Sequence, residues 1–293
     1  MIGLLLLLAA ASVAVIGTES GTRWAMGHVI RFVPGELDVK EYQGTLLRGL
    51  RMGRVSYSIA AIRVTAEDLY LKPDWLRSHR SRVALQELTA QQIIYENTGN
   101  RDAERKPLAI AMPALPIDIA AADISTRTLR IGDPVISDFA AHDVRLNGNR
   151  IRANRVAGKM ASVTASVSRL DTTLAGDVPM SADLLWRLDE GPWSGKGNVA
   201  GSLAELAFEH QLTGTHPARA EGKVFLLHRI DPEVDATVQF ENWQFGGIKA
   251  TAGVLQVAGT AQSYRVVLET GISDEQARSV MLTGEVSGDT KGL

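Results

Sequence analysis

Beyond Pro34 the apolar residues of this chain recur with a period near two, and that spacing constrains the fold more than any other feature. Arg54-Val55-Ser56-Tyr57-Ser58-Ile59 alternates as a half-buried strand should. Similar runs occur at Ile151–Val156, Val163–Val167, Val234–Phe240, Gly253–Val257 and Arg265–Glu269. Gly, Asn, Asp and Pro punctuate them at short intervals, and Asn147-Gly148-Asn149 reads as a hairpin turn. Helical signals are confined to Thr22–Val29 and a turn at Asp74–Ser78 after Pro73. The polar run Asn97–Lys106 has almost nothing to bury and reads as a loop.

Inside this pattern lies a loose repeat of the form apolar-x-Ala-x-(Asp/Gln)-apolar. Its copies are Val64–Leu69, Leu88–Ile93, Ile119–Ile124 and Phe139–Val144. Positions one and three share a strand face, but position six has the opposite parity, and position eight continues it in Leu71, Tyr95 and Leu146. Such a switch turns the second half outward unless one residue is inserted. A β-bulge at the Ala-x-Asp step restores the face and adds twist. The expectation is an extended, curled sheet with one apolar face carrying Val64, Leu69, Leu88, Ile93, Ile119, Ile124, Phe139 and Val144. That face is covered either by a closed sandwich or solenoid core, or by acyl chains in a groove, and the residues leave both open.

The first seventeen residues, Met1 to Gly17, carry no charge. As a helix they reach about 25 Å at roughly 1.5 Å per residue, against a bilayer core of about 30 Å. Leu4, Leu5, Leu6, Leu7, Leu8, Val13, Val15 and Ile16 would form the lipid-facing surface. A cleaved signal peptide, with a small-x-small site at Ser12-Val13-Ala14, and an uncleaved anchor both fit. In either case the chain after Glu19 is exported. No Lys or Arg precedes the segment, which suggests that the sequence begins inside a longer reading frame.

Chemistry is sparse. With no cysteine there is no disulfide, thiolate nucleophile or cysteine zinc site. The net charge of −2 is spread along the chain and gives nucleic acid no long-range attraction. The six histidines form neither a His-x-His pair nor a His-Glu-x-x-His helix, and no metal or other cofactor is expected. His142 reads as a solvated outward residue. Gly195-Lys196-Gly197-Asn198-Val199-Ala200 formally fits a dinucleotide fingerprint but lacks the βαβ setting, so it reads as a Gly-rich turn. Asp68, Asp123 and Asp143 fall at equivalent bulge positions, where their side chains would accept bonds from freed backbone amides. The cluster Arg77-Ser78-His79-Arg80-Ser81-Arg82 reads as a solvated loop, with phosphate headgroups as its alternative ligand. No catalytic constellation stands out, and the chain is expected not to be an enzyme; a carbohydrate-active site would need two facing carboxylates.

The apolar start running into Ile16-Gly17-Thr18-Glu19-Ser20-Gly21, then Phe32-Val33-Pro34-Gly35 and Tyr42-Gln43-Gly44-Thr45-Leu46, resembles the beginning of the TamB family, within the wider AsmA-like group. The repeats are similar to that family's strand units, with Ala in place of a second Leu, and Trp75-Leu76 between Pro73 and Val83 fits its layout. The resemblance covers residues 1–130 and continues as a diffuse strand pattern. It implies a mainly β fold: a transmembrane anchor over 1–18, a short periplasmic linker helix over 19–35, and an elongated repeat β-groove over 36–293 that continues past this chain. It further implies an inner-membrane tether with the bulk in the periplasm, acyl chains of phospholipid in the groove, and roles in lipid movement or protein assembly at the outer membrane. The barrel partner TamA is implied by resemblance only.

Overall fold

The structure is a computed structural model and describes residues 17–33, 35–59, 62–79, 81–97, 110–111, 118–132, 134–191, 193–214, 216–225, 231–245, 248–260, 262–273 and 279–289. It is mainly β, and the chain divides into two compact bodies.

The first body opens with α1 (Glu19–Phe32). Thr18 starts the helix by accepting the Gly21 amide at its Oγ1 (3.1 Å), and Glu19 and Arg31 suit the two ends of the helix dipole. Strands β1 (Glu36–Thr45), β2 (Gly49–Ile59), β3 (Ile62–Pro73) and β4 (Arg82–Asn97) follow as an antiparallel meander. The two-residue strand β5 (Ile110–Ala111) belongs to the second body. Then β6 (Asp118–Ile131) pairs parallel with β4, and β7 (Val135–Asn147) pairs antiparallel with β6. The strand β8 (Arg150–Met160) follows the Gly148-Asn149 turn, where Gly148 takes a φ of +60°.

The second body is an antiparallel run of β9 (Val163–Thr173), β11 (Met180–Leu188), β12 (Ser194–Gly201), β13 (Glu205–Thr213), β14 (Ala218–Phe225), β15 (Glu233–Phe245), β16 (Ile248–Gly259), β17 (Ser263–Ser273) and β18 (Ser279–Asp289). The short β10 (Ala175–Gly176) pairs with β5.

The parity switch is real, and at the Asp68 level the device behind it is a matched kink and not the expected inserted residue. Asp68 adopts φ +51°, yet Met52↔Leu69 and Arg54↔Glu67 on either side keep one register. The neighbouring strands break at the same level: Glu41 in β1 has φ +54°, and Asp138 in β7 has φ +51°. Pairing between β4, β6 and β7 skips Gln91, Arg127 and Asp138 together, and Gln86, Ala122 and Asp143 together. At the Asp68 level the strands kink at matched positions and keep register, whereas between β3 and β4 the pairing slips from Lys72↔Glu87 to Pro73↔Leu85, which makes Gln86 an inserted residue of the expected kind. At each kink two successive residues point outward, as in the exposed pairs Glu67-Asp68 and His142-Asp143. The expected position holds at Asp68 and Asp143 (φ +50°), but in β6 the skipped residue is Ala122, and Asp123 remains paired with His142. Nor do the carboxylates of Asp123 and Asp143 act as backbone acceptors. Asp143 accepts the Asn154 side-chain amide at 2.7 Å, and Asp123 meets His142 Nδ1 at 2.6 Å.

Candidate functional site

Partners across a ladder share a face, so the register assembles the apolar surface of the first body row by row. Leu85, Ala121 and Val144 form one row, and Leu50, Leu71, Leu88, Ile124 and Ala141 the next. Tyr42, Met52, Leu69, Ala90, Thr126 and Phe139 follow, then Val39, Val55, Ala66, Ile93, Leu129 and Ile136. Ile119 lies in an end row between Val83 and Leu146, and Val64 in the opposite end row between Tyr57 and Tyr95. All eight residues named from the sequence stand on this one face, spread across its six rows. Read along β4, β6 and β7, the face has a five-residue period, apolar-x-apolar-x-x, as in Ile119, Ala121, Ile124, Thr126, Leu129 and Ile131.

This surface is not a packed core. Large side chains on it, including Val64, Leu88, Ile93 and Ile124, are half-buried. Of the fifteen buried hydrophobic residues among those described, ten are alanines shaded by larger neighbours. The substantial contacts between elements within each body run between hydrogen-bonded strand neighbours, or between α1 and β1. A sandwich would lay a second sheet about 10 Å above the first, and among the described residues neither body has one.

The second body repeats the arrangement mostly by alternation, with left-handed residues at Arg169 and Asn242 and register shifts at Ser181/Asp183 and Ala250/Ala252. Leu206, Phe208, His210 and Leu212 of β13 face one way, and Glu205, Ala207, Glu209 and Gln211 the other. The polar side carries cross-strand ion pairs, such as Arg219 with Glu209, Arg265 with Glu285 at 2.9 Å, and Arg169 with Asp183. On the apolar side aromatics lie across glycines of the next strand. A Cβ on Gly195 would run into the Trp186 indole, one on Gly253 into the Phe240 ring, and one on Gly288 would come within 2.6 Å of the Tyr264 ring. The Gly195–Ala200 run is therefore strand β12 and not a turn; Gly195 clears room for the Trp186 indole, and Gly197 lets the backbone of Glu209 and His210 approach. His210 is buried beside the edge of Phe208, and burial pushes its imidazole below the ordinary value. At one margin Trp193 stacks on His216, whose ring meets the edge of Trp243, which in turn stacks on Phe240 at 4.1 Å. These residues fall outside the repeat read from the sequence; large residues paired with glycines of the adjacent strand were the available signal.

The remaining sequence candidates have plain placements. His142 is exposed on the polar face against Asp123. Arg77 and Arg82 pair loosely with Asp74 (3.6 Å) and Asp118 (3.9 Å), and with Arg145 they line a cleft of about 470 Å³ floored by Ala84 and Ala120. Among the described residues no group of His, Asp and Glu could hold a metal ion. The anchor residues Leu4 to Leu8, Val13, Val15 and Ile16, and most of the loop after Asn97, lie outside the described residues. No described helix is long and apolar enough to cross a membrane.

Each body is thus an open sheet with a continuous apolar face on one side and ion-paired strands on the other, which defines a β-repeat scaffold with uncovered apolar surface. The family of the TamB N-terminal domain matches residues 6–137 and 95–293, so the chain belongs to the TamB family. No curated protein and no solved structure matches it.

Proposed function

We propose that this chain is part of an inner-membrane-anchored scaffold of the periplasm that carries phospholipid toward the outer membrane, or assists protein assembly there, along its apolar β-surface. The apolar face without a covering layer is the observation that carries this reading. Acyl chains laid on it escape a hydration cost of about 0.8 kcal/mol per methylene, while headgroups stay in water at the sheet margin. The segment Met1–Gly17 supplies the tether, with Leu4 to Leu8 and Val13 to Ile16 in lipid. The work is physical: no bond is made or broken, no cofactor is used, and the chain is not an enzyme. A barrel partner such as TamA would be met by other parts of the assembly.

Photo-crosslinking amino acids at Ile93 and Ile124, in the full chain in its native membrane, test this reading. Phospholipid adducts are expected at both positions. Adducts with protein alone at both would count against a conduit.

A further inference from the structure

The geometry at one end of the first body points to a second contact with the bilayer, besides the tether. The turns joining β1 to β2 (residues 46–48) and β3 to β4 (residues 74–81) lie at the same end of the meander, because the strands alternate in direction. Two bonds tie this end together. Thr22 of α1, wholly buried, accepts the Leu46 amide at its Oγ1 (3.1 Å), and the Trp75 indole donates to the Leu46 carbonyl (3.0 Å). Thr22 is in the first turn of α1, so the helix begins at this end and runs back antiparallel to β1. Gly17, at the start of the described chain, therefore lies at this end.

The same end exposes apolar side chains that the sheet does not use. Leu76 is 99% exposed, Trp24 59%, Leu47 43% and Trp75 41%. Arg23, Arg48 and Arg77 stand among them and are exposed, and Arg82 and Arg145 line the cleft beside the second turn. Tryptophan beside arginine, with leucine at a turn tip, is the chemistry of a bilayer interface: indoles settle at headgroup level and guanidiniums bind phosphates. A leucine with every face in solvent, grouped with two exposed tryptophans, gains by entering an apolar layer.

We propose that this end is a seat on the membrane surface, with Leu47, Trp75 and Leu76 dipping into the interfacial layer and the arginines holding anionic headgroups. It rests on the anchored reading above. Its consequence is that the apolar face of the first body opens directly at the lipids it would take up.

The absence of cysteine allows a clean test. The full chain bearing Leu76→Cys or Leu47→Cys is labelled with an environment-sensitive fluorophore and reconstituted in phosphatidylethanolamine–phosphatidylglycerol vesicles with and without brominated lipid. Ile62→Cys, an exposed apolar site at the opposite end, is the control. The expected result is blue-shifted emission and bromolipid quenching at positions 47 and 76, and neither at 62. Vesicle flotation of the same samples separates the two ideas. Floating chains with a wet, unquenched Leu76 position overturn the seat and leave the tether standing; chains that fail to float overturn both. A blue shift without bromolipid quenching means that protein covers the turn, which also overturns the seat.

Discussion

At the scale of single residues, the uncovered face is tuned by size and by charge. Gly253 and Gly284 both belong to it, but only Gly253 lies under a ring, that of Phe240, whereas nothing stands within 4 Å of a Cβ at Gly284. Gly253→Val forces the phenyl group or its strand to move and should cost about 1–3 kcal/mol, the usual range for overpacking. Gly284→Val should be neutral or mildly stabilising, because Val suits a strand and loses less backbone freedom than Gly. Urea midpoints followed by tryptophan fluorescence distinguish the two variants. His210 contributes a pH dependence whose sign follows from its burial. Its folded value is lowered, so the unfolded chain binds the proton first as pH falls through the ordinary value of about 6.5. The neutral ring's contribution is present above that pH and is lost on acidification toward the folded value. The urea midpoint should therefore fall between about pH 7.5 and pH 5.5 in the wild type. In His210→Phe, which keeps a ring beside Phe208, that fall should shrink markedly.

Strands show how the kinks keep a single face. A strand of strict alternation would send Leu69 and Leu71 to the opposite side from Val64 and Ala66, and the left-handed turn at Asp68 prevents it. Non-glycine residues bear such a φ at a cost, least for Asp and Asn and most for β-branched side chains. Asp68→Gly should leave stability unchanged or slightly raised, whereas Asp68→Val should lose about 1–3 kcal/mol. Asp143, with the same backbone, should respond alike, less what its bond to Asn154 adds. Thermal unfolding by circular dichroism measures both series, and equal effects of Gly and Val at Asp68 would remove the argument. Here the sequence was legible in part. The shift of apolar parity across Val64, Ala66, Leu69 and Leu71 is written in the residues and demands a backbone device. That every neighbouring strand would kink at the same level, preserving register, is a property of paired strands and of no single segment. Gly195–Ala200 reads differently for the opposite reason: glycines signal turns by default, and only the neighbouring strands, the Trp186 indole on one side and the Glu209 backbone on the other, explain them inside one.

For the molecule as a whole, the central fact is that among the described residues neither body stacks a second layer on its apolar side. Composition could not reveal this, because a closed sandwich and an open sheet use the same alternation, and the two readings left open by the residues separate only when the register is laid out. An open face has a thermodynamic consequence that a closed core lacks. A ligand that binds the folded state alone raises its stability by RT ln(1 + [L]/Kd), about 2.7 kcal/mol at a hundredfold excess over Kd. A short-chain phospholipid kept below its micelle concentration should therefore raise the melting temperature progressively. The headgroup without chains should not. Ile124→Asp sharpens the test, since Ile124 is half-buried in the central rows beside Leu88 and Ala141. On an open face the carboxylate stays hydrated, so the variant should fold with unchanged β-sheet circular dichroism yet lose most of the lipid-induced shift. In a closed core the same carboxylate would be stranded away from water, and the variant would unfold. A folded variant without the lipid shift supports the open surface as the place where acyl chains lie; an unfolded one returns the sheet to the ordinary role of a core.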